Sequence, residues 1–85
     1  MDNLTSVKGI ILNNAGLPVA EAIVMIKDAD HEFTDMASVS NENGEFYLSN
    51  IVVPGRYVLE IKNNNATVTR EVYVTSAQQI IRINL

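Results

Sequence analysis

The chain has 85 residues, of which 47% are hydrophobic, and it carries a net charge of −4. This length and composition predict one domain with one core, and they exclude a disordered chain. The absence of cysteine excludes disulfides and thiolate metal sites, and the scattered basic residues argue against nucleic-acid binding.

The start of the chain and its apolar runs bear on localisation. No run approaches the ~20 residues that a membrane-spanning helix needs, so no membrane insertion is expected. Residues 1–6 lack the basic and apolar regions of a signal peptide. We therefore expect a chain that is cytoplasmic as given, or one excised from an exported or secretion-system protein. The sequence does not decide between the two.

Two stretches near the start alternate between apolar and polar residues with a period of two, which predicts β-strands. Their inward positions are Val7, Gly9, Ile11, Ala22, Val24 and Ile26. The turn 13–16 ends the first strand. The short connection that follows favours pairing of the two strands as a hairpin.

A polar segment, residues 28–35, comes next and is predicted to be a loop. A third strand, at about residues 34–40, then meets the turn 41–44. Asn43 and Gly44 give a strong hairpin signal, because both residues tolerate the positive φ angles of a type I′ turn.

Four further strands follow, with breaks at Pro54-Gly55 and at the turn 63–65. Their inward positions are Phe46, Leu48, Tyr57, Leu59, Ile61, Val68, Val72, Val74, Ile81, Ile83 and Leu85. Seven short strands separated by turns on so small a chain predict an all-β sandwich.

Several short segments occur in a recognisable order and spacing. They are 7–11 (VKGII), 16–19 (GLPV), 21–24 (EAIV), 41–46 (NENGEF) and 53–57 (VPGRY). The chain, over about residues 6–85, resembles the carboxypeptidase regulatory-like family, which is also described as transthyretin-like or prealbumin-like. It departs from the family at Ser40-Asn41, where Thr-Asp is common, but asparagine can replace aspartate as a turn acceptor.

The resemblance implies a seven-stranded Greek-key β-sandwich, transthyretin-like and Ig-like, as a single domain over residues 1–85. Family members are usually appended as domains to peptidases, outer-membrane receptors, adhesins or secretion spikes. The resemblance therefore implies a non-catalytic accessory or docking module in a bacterial exported or secretion-linked assembly. It carries over no catalytic residue and no cofactor. The alternative is a carbohydrate- or calcium-binding module of the cell surface.

Three residues of the matching segments have predicted structural roles. Gly9 suits a β-bulge or a close approach of neighbouring backbone. Gly44 is expected to have a positive φ angle in its turn. Tyr57 is expected to bury its ring and to hydrogen-bond a nearby loop through its hydroxyl.

The residues that most often carry chemistry do not form a recognisable catalytic set. The single histidine, His31, lies between Asp30 and Glu32 in the polar loop, and no nucleophile elbow is present. We therefore predict a non-enzyme with no catalytic, cofactor-binding or metal-binding residues.

Two features keep the alternative function open. The acidic residues Asp28, Asp30, Glu32 and Asp35 could bind calcium weakly, although the spacing is not that of an EF-hand. Tyr47 and Tyr73 are predicted to point outward and could stack on sugars.

The outer faces of the first two strands depart from the expected polar pattern. A patch that could hold a partner is formed by Ile10, Leu12, Ile23, Met25 and Val58. It assumes that the first two strands pair and that the fifth lies alongside. The predicted partner is a protein, a neighbouring domain of a parent protein, or a second copy of the chain. Alternatively, chain ends or a long loop cover this face.

Overall fold

The computed structural model describes residues 4–30, 33, 37–64 and 66–85. The described residues form seven β-strands. These are β1 (Leu4–Leu12), β2 (Ile23–Ala29), β3 (Ala37–Val39), β4 (Glu45–Val52), β5 (Gly55–Asn63), β6 (Ala66–Val74) and β7 (Ile80–Asn84). No helix in this part of the chain could cross a bilayer.

The strands form two sheets that pack face to face. One sheet has the order β4-β1-β7 and the other β3-β2-β5-β6. The β1–β7 pairing is parallel, and the other pairings are antiparallel. The connections β1–β2, β3–β4, β4–β5 and β6–β7 all cross from one sheet to the other. The predicted all-β, seven-stranded sandwich is confirmed.

The core lies between the two sheets and is built from alternate residues of each strand. Its apolar members are Val7, Ile11, Val19, Ala22, Val24, Ile26, Phe46, Leu48, Ile51, Tyr57, Leu59, Ile61, Val74, Ile81 and Ile83. Because side chains alternate across a strand, burying these residues leaves their neighbours on the two outer faces. Val72 and Leu85 are only half-buried against the core.

The predicted pairing of the first two strands is wrong. Both edges of β1 are occupied by β4 and β7, and both edges of β2 by β3 and β5. The segment 13–22 crosses to the other sheet instead, a separation of about 10 Å. The Val19 side chain is buried at this crossing, and its backbone N–H donates to the Ile11 carbonyl over 3.0 Å. The two apolar inner faces therefore oppose each other across the core.

The turn 41–44 lies where it was predicted, but its type differs. Gly44 has φ +76°, and its N–H donates to the Asn41 carbonyl at 2.9 Å. Asn43 is not among the described residues with positive φ, which excludes a type I′ turn. The arrangement is that of a type I turn followed by a left-handed glycine. The strands on either side, β3 and β4, then enter different sheets.

Candidate interaction surfaces

The outer face of the four-stranded sheet carries an apolar cluster where β2 meets the edge strand β3. Ile23 lies opposite Val39, and Met25 lies opposite Ala37. The exposed fraction is 39% for Ile23 and 60% for Val39. We call these four residues the β2–β3 cluster. Val58, half-buried on the adjacent strand β5, extends it on the same face.

Charged side chains border the β2–β3 cluster on its β5 side. Lys62 lies opposite Ile23, and Glu60 lies opposite Met25. The Lys62 Nζ and a Glu60 carboxylate oxygen are 3.9 Å apart. An exposed apolar centre with a charged rim is a common composition for a protein-binding surface.

The outer face of the three-stranded sheet is the second candidate surface. Its strand register aligns outward side chains in two rows of three. These rows are Tyr47–Lys8–Ile80 and Glu45–Ile10–Arg82, each running from β4 through β1 to β7. A shorter third row pairs Leu12 with Asn84. We call this surface the β1 face.

An ion pair joins two strands of the β1 face. The Lys8 Nζ lies 2.6 Å from a Glu45 carboxylate oxygen, and the Asn41 side-chain amide donates to the other oxygen at 3.2 Å. The hydrogen bond from Lys8 lowers the pKa of Glu45, and the bond from Asn41 lowers it further. The same contact with Glu45 raises the pKa of Lys8. The lysine ammonium is thus held toward β4.

The predicted interaction patch does not form one surface. Ile10 and Leu12 lie on the β1 face, whereas Ile23, Met25 and Val58 lie on the outer face of the opposite sheet. The error follows from the wrong pairing of the first two strands. On each face, the residues of the predicted patch lie beside other side chains of the same sheet.

Sequence reasoning did not assign several residues to these surfaces, among them Val39, Tyr47 and Ile80. Val39 was not assigned a face, although the alternation of Ala37, Ser38 and Val39 contained that signal. Tyr47, predicted to point outward, is 50% exposed, and Ile80 is 41% exposed. Tyr47 and Ile80 flank Lys8 on the β1 face, which only the strand order reveals.

Comparison with known families identifies the family of this chain. The carboxypeptidase regulatory-like domain matches residues 6–85. The chain belongs to this family. The regulatory-like domain is generally a non-catalytic β-sandwich module, and no curated protein matches the chain.

The segments shared with the family perform structural tasks in this regulatory-like domain. Gly9 lies opposite Phe46 and leaves room for its ring, since a Cβ on Gly9 would lie 2.1 Å from the ring Cζ. The Asn41 side-chain oxygen accepts from the backbone N–H groups of Asn43 and Glu45, at 2.9 and 3.0 Å. Asparagine thus serves as the turn acceptor, as predicted.

Tyr57 is fully buried, as predicted, and its hydroxyl is bonded on both sides. It donates to the Val52 carbonyl at 2.7 Å and accepts from the Val52 N–H at 2.8 Å. Burial raises the pKa of this hydroxyl. The residue closes the β4–β5 connection against the core, which is a structural role.

The acidic segment of the regulatory-like domain is described only in part. His31, Glu32 and Asp35 lie outside the described residues. Asp28 and Asp30 are exposed, and an Asp30 carboxylate oxygen accepts from the Arg56 backbone N–H at 3.3 Å. Within the described part of the chain, no three histidine, cysteine or acidic residues are grouped as a metal site.

The two outward tyrosines lie on opposite faces of the sandwich. Tyr47 is on β4 of the three-stranded sheet, and Tyr73 is on β6 of the four-stranded sheet. One sugar chain bound flat on either face would therefore stack on only one of them. The pair does not form the common platform that a carbohydrate site would use.

Proposed function

We propose that this regulatory-like domain is a non-catalytic docking module of a bacterial exported or secretion-linked assembly. It binds a protein partner, or a neighbouring domain of a parent protein, through the β2–β3 cluster. The exposed apolar pairing of Ile23 with Val39 carries the proposal. Membership of a generally non-catalytic family supports it.

The position of the cluster favours contact with a protein. It lies at a sheet edge, next to the three-residue strand β3. Burying Ile23 and Val39 removes apolar area from water, at roughly 25 cal/mol per Å². The ion pair of Glu60 and Lys62 would lie at the rim, where charges contribute more to orientation and specificity than to affinity.

The test is binding to proteins encoded beside this gene, measured by isothermal titration calorimetry. A variant carrying Ile23→Lys and Met25→Glu should keep the melting temperature but lose binding. The matched control carries Thr67→Lys and Thr69→Glu, which change exposed positions on β6 of the same outer face. It should bind as the parent chain does.

Two results would contradict the proposal. In the first, the β2–β3 variant binds a partner with unchanged affinity. In the second, none of the neighbouring gene products, including the rest of any longer reading frame, binds the parent chain.

A further inference from the structure

The β1 face has an order of charges that is complementary to itself. In its central row, acidic Glu45 on β4 and basic Arg82 on β7 stand on either side of apolar Ile10 on β1. In the next row, the two residues beside Lys8 also differ from each other: aromatic Tyr47 lies on β4 and aliphatic Ile80 lies on β7. Each side of the face therefore carries what the other side lacks.

Consider two copies packed face to face about a twofold axis that runs along β1. The axis exchanges the β4 side with the β7 side, so that Glu45 of each copy faces Arg82 of the other. Tyr47 faces Ile80 in the same way, and Ile10 meets its own counterpart near the axis. Every contact occurs twice, as in any isologous interface.

An axis across the strands gives the opposite result. It leaves β4 over β4 and β7 over β7. If the axis passes through the Glu45–Ile10–Arg82 row, Glu45 faces Glu45 and Arg82 faces Arg82. If it passes between the two rows, Glu45 faces Tyr47 and Arg82 faces Ile80, so neither position of the axis pairs an acid with a base. Like charges placed opposite each other are unfavourable, whereas opposite charges contribute modestly when exposed. The charges of the face thus favour the axis along the strands, with the two sheets aligned as in ordinary sheet packing.

Lys8 is the residue that could disfavour this packing. It lies on the central strand, so its positive charge faces that of Lys8 in the other copy. Its ammonium is already bound to Glu45, 2.6 Å away on the β4 side. The ion pair thus directs the charge away from the axis. Each Glu45 would then lie between Lys8 of its own copy and Arg82 of the other.

The net charge also favours this face over the others. The whole chain carries −4, so two copies repel each other on average. The β1 face has two basic and one acidic side chain, Lys8, Arg82 and Glu45. It is therefore a surface on which two copies approach without the repulsion of the acidic regions.

We propose that the domain forms an isologous homodimer through the β1 face, with Glu45 of each copy paired to Arg82 of the other. The face spans only three strands about 4.8 Å apart, so the interface falls below the ~1,200 Å² typical of stable complexes. The dimer is accordingly weak and forms at high local concentration. This proposal concerns the sheet opposite the β2–β3 cluster and does not rest on the proposed function.

The test is sedimentation equilibrium over a range of concentrations up to the millimolar. Arg82→Glu creates two Glu–Glu contacts in a dimer, and Glu45→Arg creates two Arg–Arg contacts. Each variant alone should associate at least about tenfold more weakly than the parent chain. An equal mixture of the two should regain the association, because each contact between positions 45 and 82 across the mixed dimer again joins an acid to a base.

Matched controls separate the contact from net charge. Lys27→Glu, at an exposed position on β2, changes the net charge as Arg82→Glu does. Glu42→Arg, at an exposed position in the turn 41–44, changes it as Glu45→Arg does. Both controls, and the β2–β3 variant, should associate as the parent chain does.

A second pair of variants avoids any loss of folding caused by breaking the Lys8–Glu45 contact. Ile10→Glu and Ile10→Lys each place like charges near the axis, and their mixture places opposite charges there. Each alone should abolish association, and the mixture should restore it.

The proposal is overturned by a parent chain that stays monomeric at millimolar concentration, or by mixtures that associate no more tightly than the single variants. It is also overturned if the controls weaken association as much as Arg82→Glu does. A parent chain that is monomeric but loses a heterologous partner on Arg82→Glu would assign this face to a different protein.

Discussion

At the scale of single residues, a left-handed backbone conformation explains why glycine occupies two turn positions. Gly16 and Gly44 both have left-handed φ angles, +80° and +76°. Their surroundings differ. A Cβ atom added to Gly16 would have no atom within 4 Å, whereas a Cβ atom added to Gly44 would lie 2.5 Å from the Ile11 carbonyl oxygen. The pair therefore separates backbone strain from steric conflict.

We expect Gly16→Ala to cost about 1 kcal/mol of unfolding free energy, from the left-handed conformation alone. Gly44→Ala should cost about 2–4 kcal/mol, because the backbone of β1 must also shift, and Gly44→Val at least as much. Urea denaturation measures both. Equal losses at the two positions would show that the contact with Ile11 is relieved without cost.

Ser40 is a buried polar residue that joins the two crossing segments. Its hydroxyl donates to the Val19 carbonyl at 2.7 Å and accepts from the Ala22 N–H at 2.9 Å. Ser40→Ala should cost about 1–3 kcal/mol, because it leaves both groups without this partner. Ser40→Thr keeps the hydroxyl and should cost less. Thermal and urea unfolding that find the two variants equal would contradict this role.

At the scale of elements, β1 and β4 are held in register by a glycine facing an aromatic ring. Gly9 lies opposite Phe46, which is fully buried, and its missing side chain is the space that the ring fills. The ion pair of Lys8 and Glu45 joins the same two strands on the outer face. Together these contacts join β4 to β1 on both faces of the three-stranded sheet.

Gly9→Ala is expected to destabilise the domain by about 1–3 kcal/mol, since the ring must leave its position in a close-packed core. The loss should be smaller when Phe46 is replaced by leucine, so the two changes should not be additive. Urea denaturation of the parent, the two single variants and the double variant gives the coupling energy. A coupling near zero would mean that the ring does not occupy the space above Gly9.

At the scale of the whole molecule, two outer faces of different character lie on opposite sides of one core. The β2–β3 cluster is apolar with a charged rim, and the β1 face alternates charge and apolar side chains. Because the faces point in opposite directions, one domain could hold a partner on one sheet and a second copy on the other. The two proposals can therefore fail or succeed separately.

Calcium is expected to leave the stability of the folded domain nearly unchanged. Asp28 and Asp30 are exposed, and the Asp30 carboxylate already accepts a hydrogen bond from the Arg56 backbone N–H. Six to eight oxygen ligands are needed for calcium, so millimolar calcium should raise the melting temperature by no more than about a degree. Magnesium at the same concentration is the control. A rise of several degrees with calcium alone, abolished by Asp30→Ala, would contradict this expectation.

The sequence by itself determined the number of strands, most of their inward positions and the family. The predicted loop 28–35 was wrong at Asp28 and Ala29, which belong to β2. Alternation with a period of two is a local property, so positions such as Leu59 in β5 and Val24 in β2 could be assigned to the core without knowing their neighbours. Turn residues act locally as well, which is why the positions of Gly44 and Asn41 were predicted correctly. Even there, the turn type was wrong, because Gly44 but not Asn43 has the positive φ angle that a type I′ turn requires of both residues.

Only the tertiary structure decided which strands are neighbours, and with them the candidate surfaces. Strand order depends on contacts between distant segments, and a short connection such as 13–22 can either pair two strands or cross the core. Here it crosses, because β1 and β2 each bury an apolar face and each already has both edges paired. That choice divided Ile10 and Leu12 from Ile23 and Met25, and it placed Glu45 and Arg82 on either side of Ile10. Alternation determines which way a side chain points, but only the strand order determines what lies beside it.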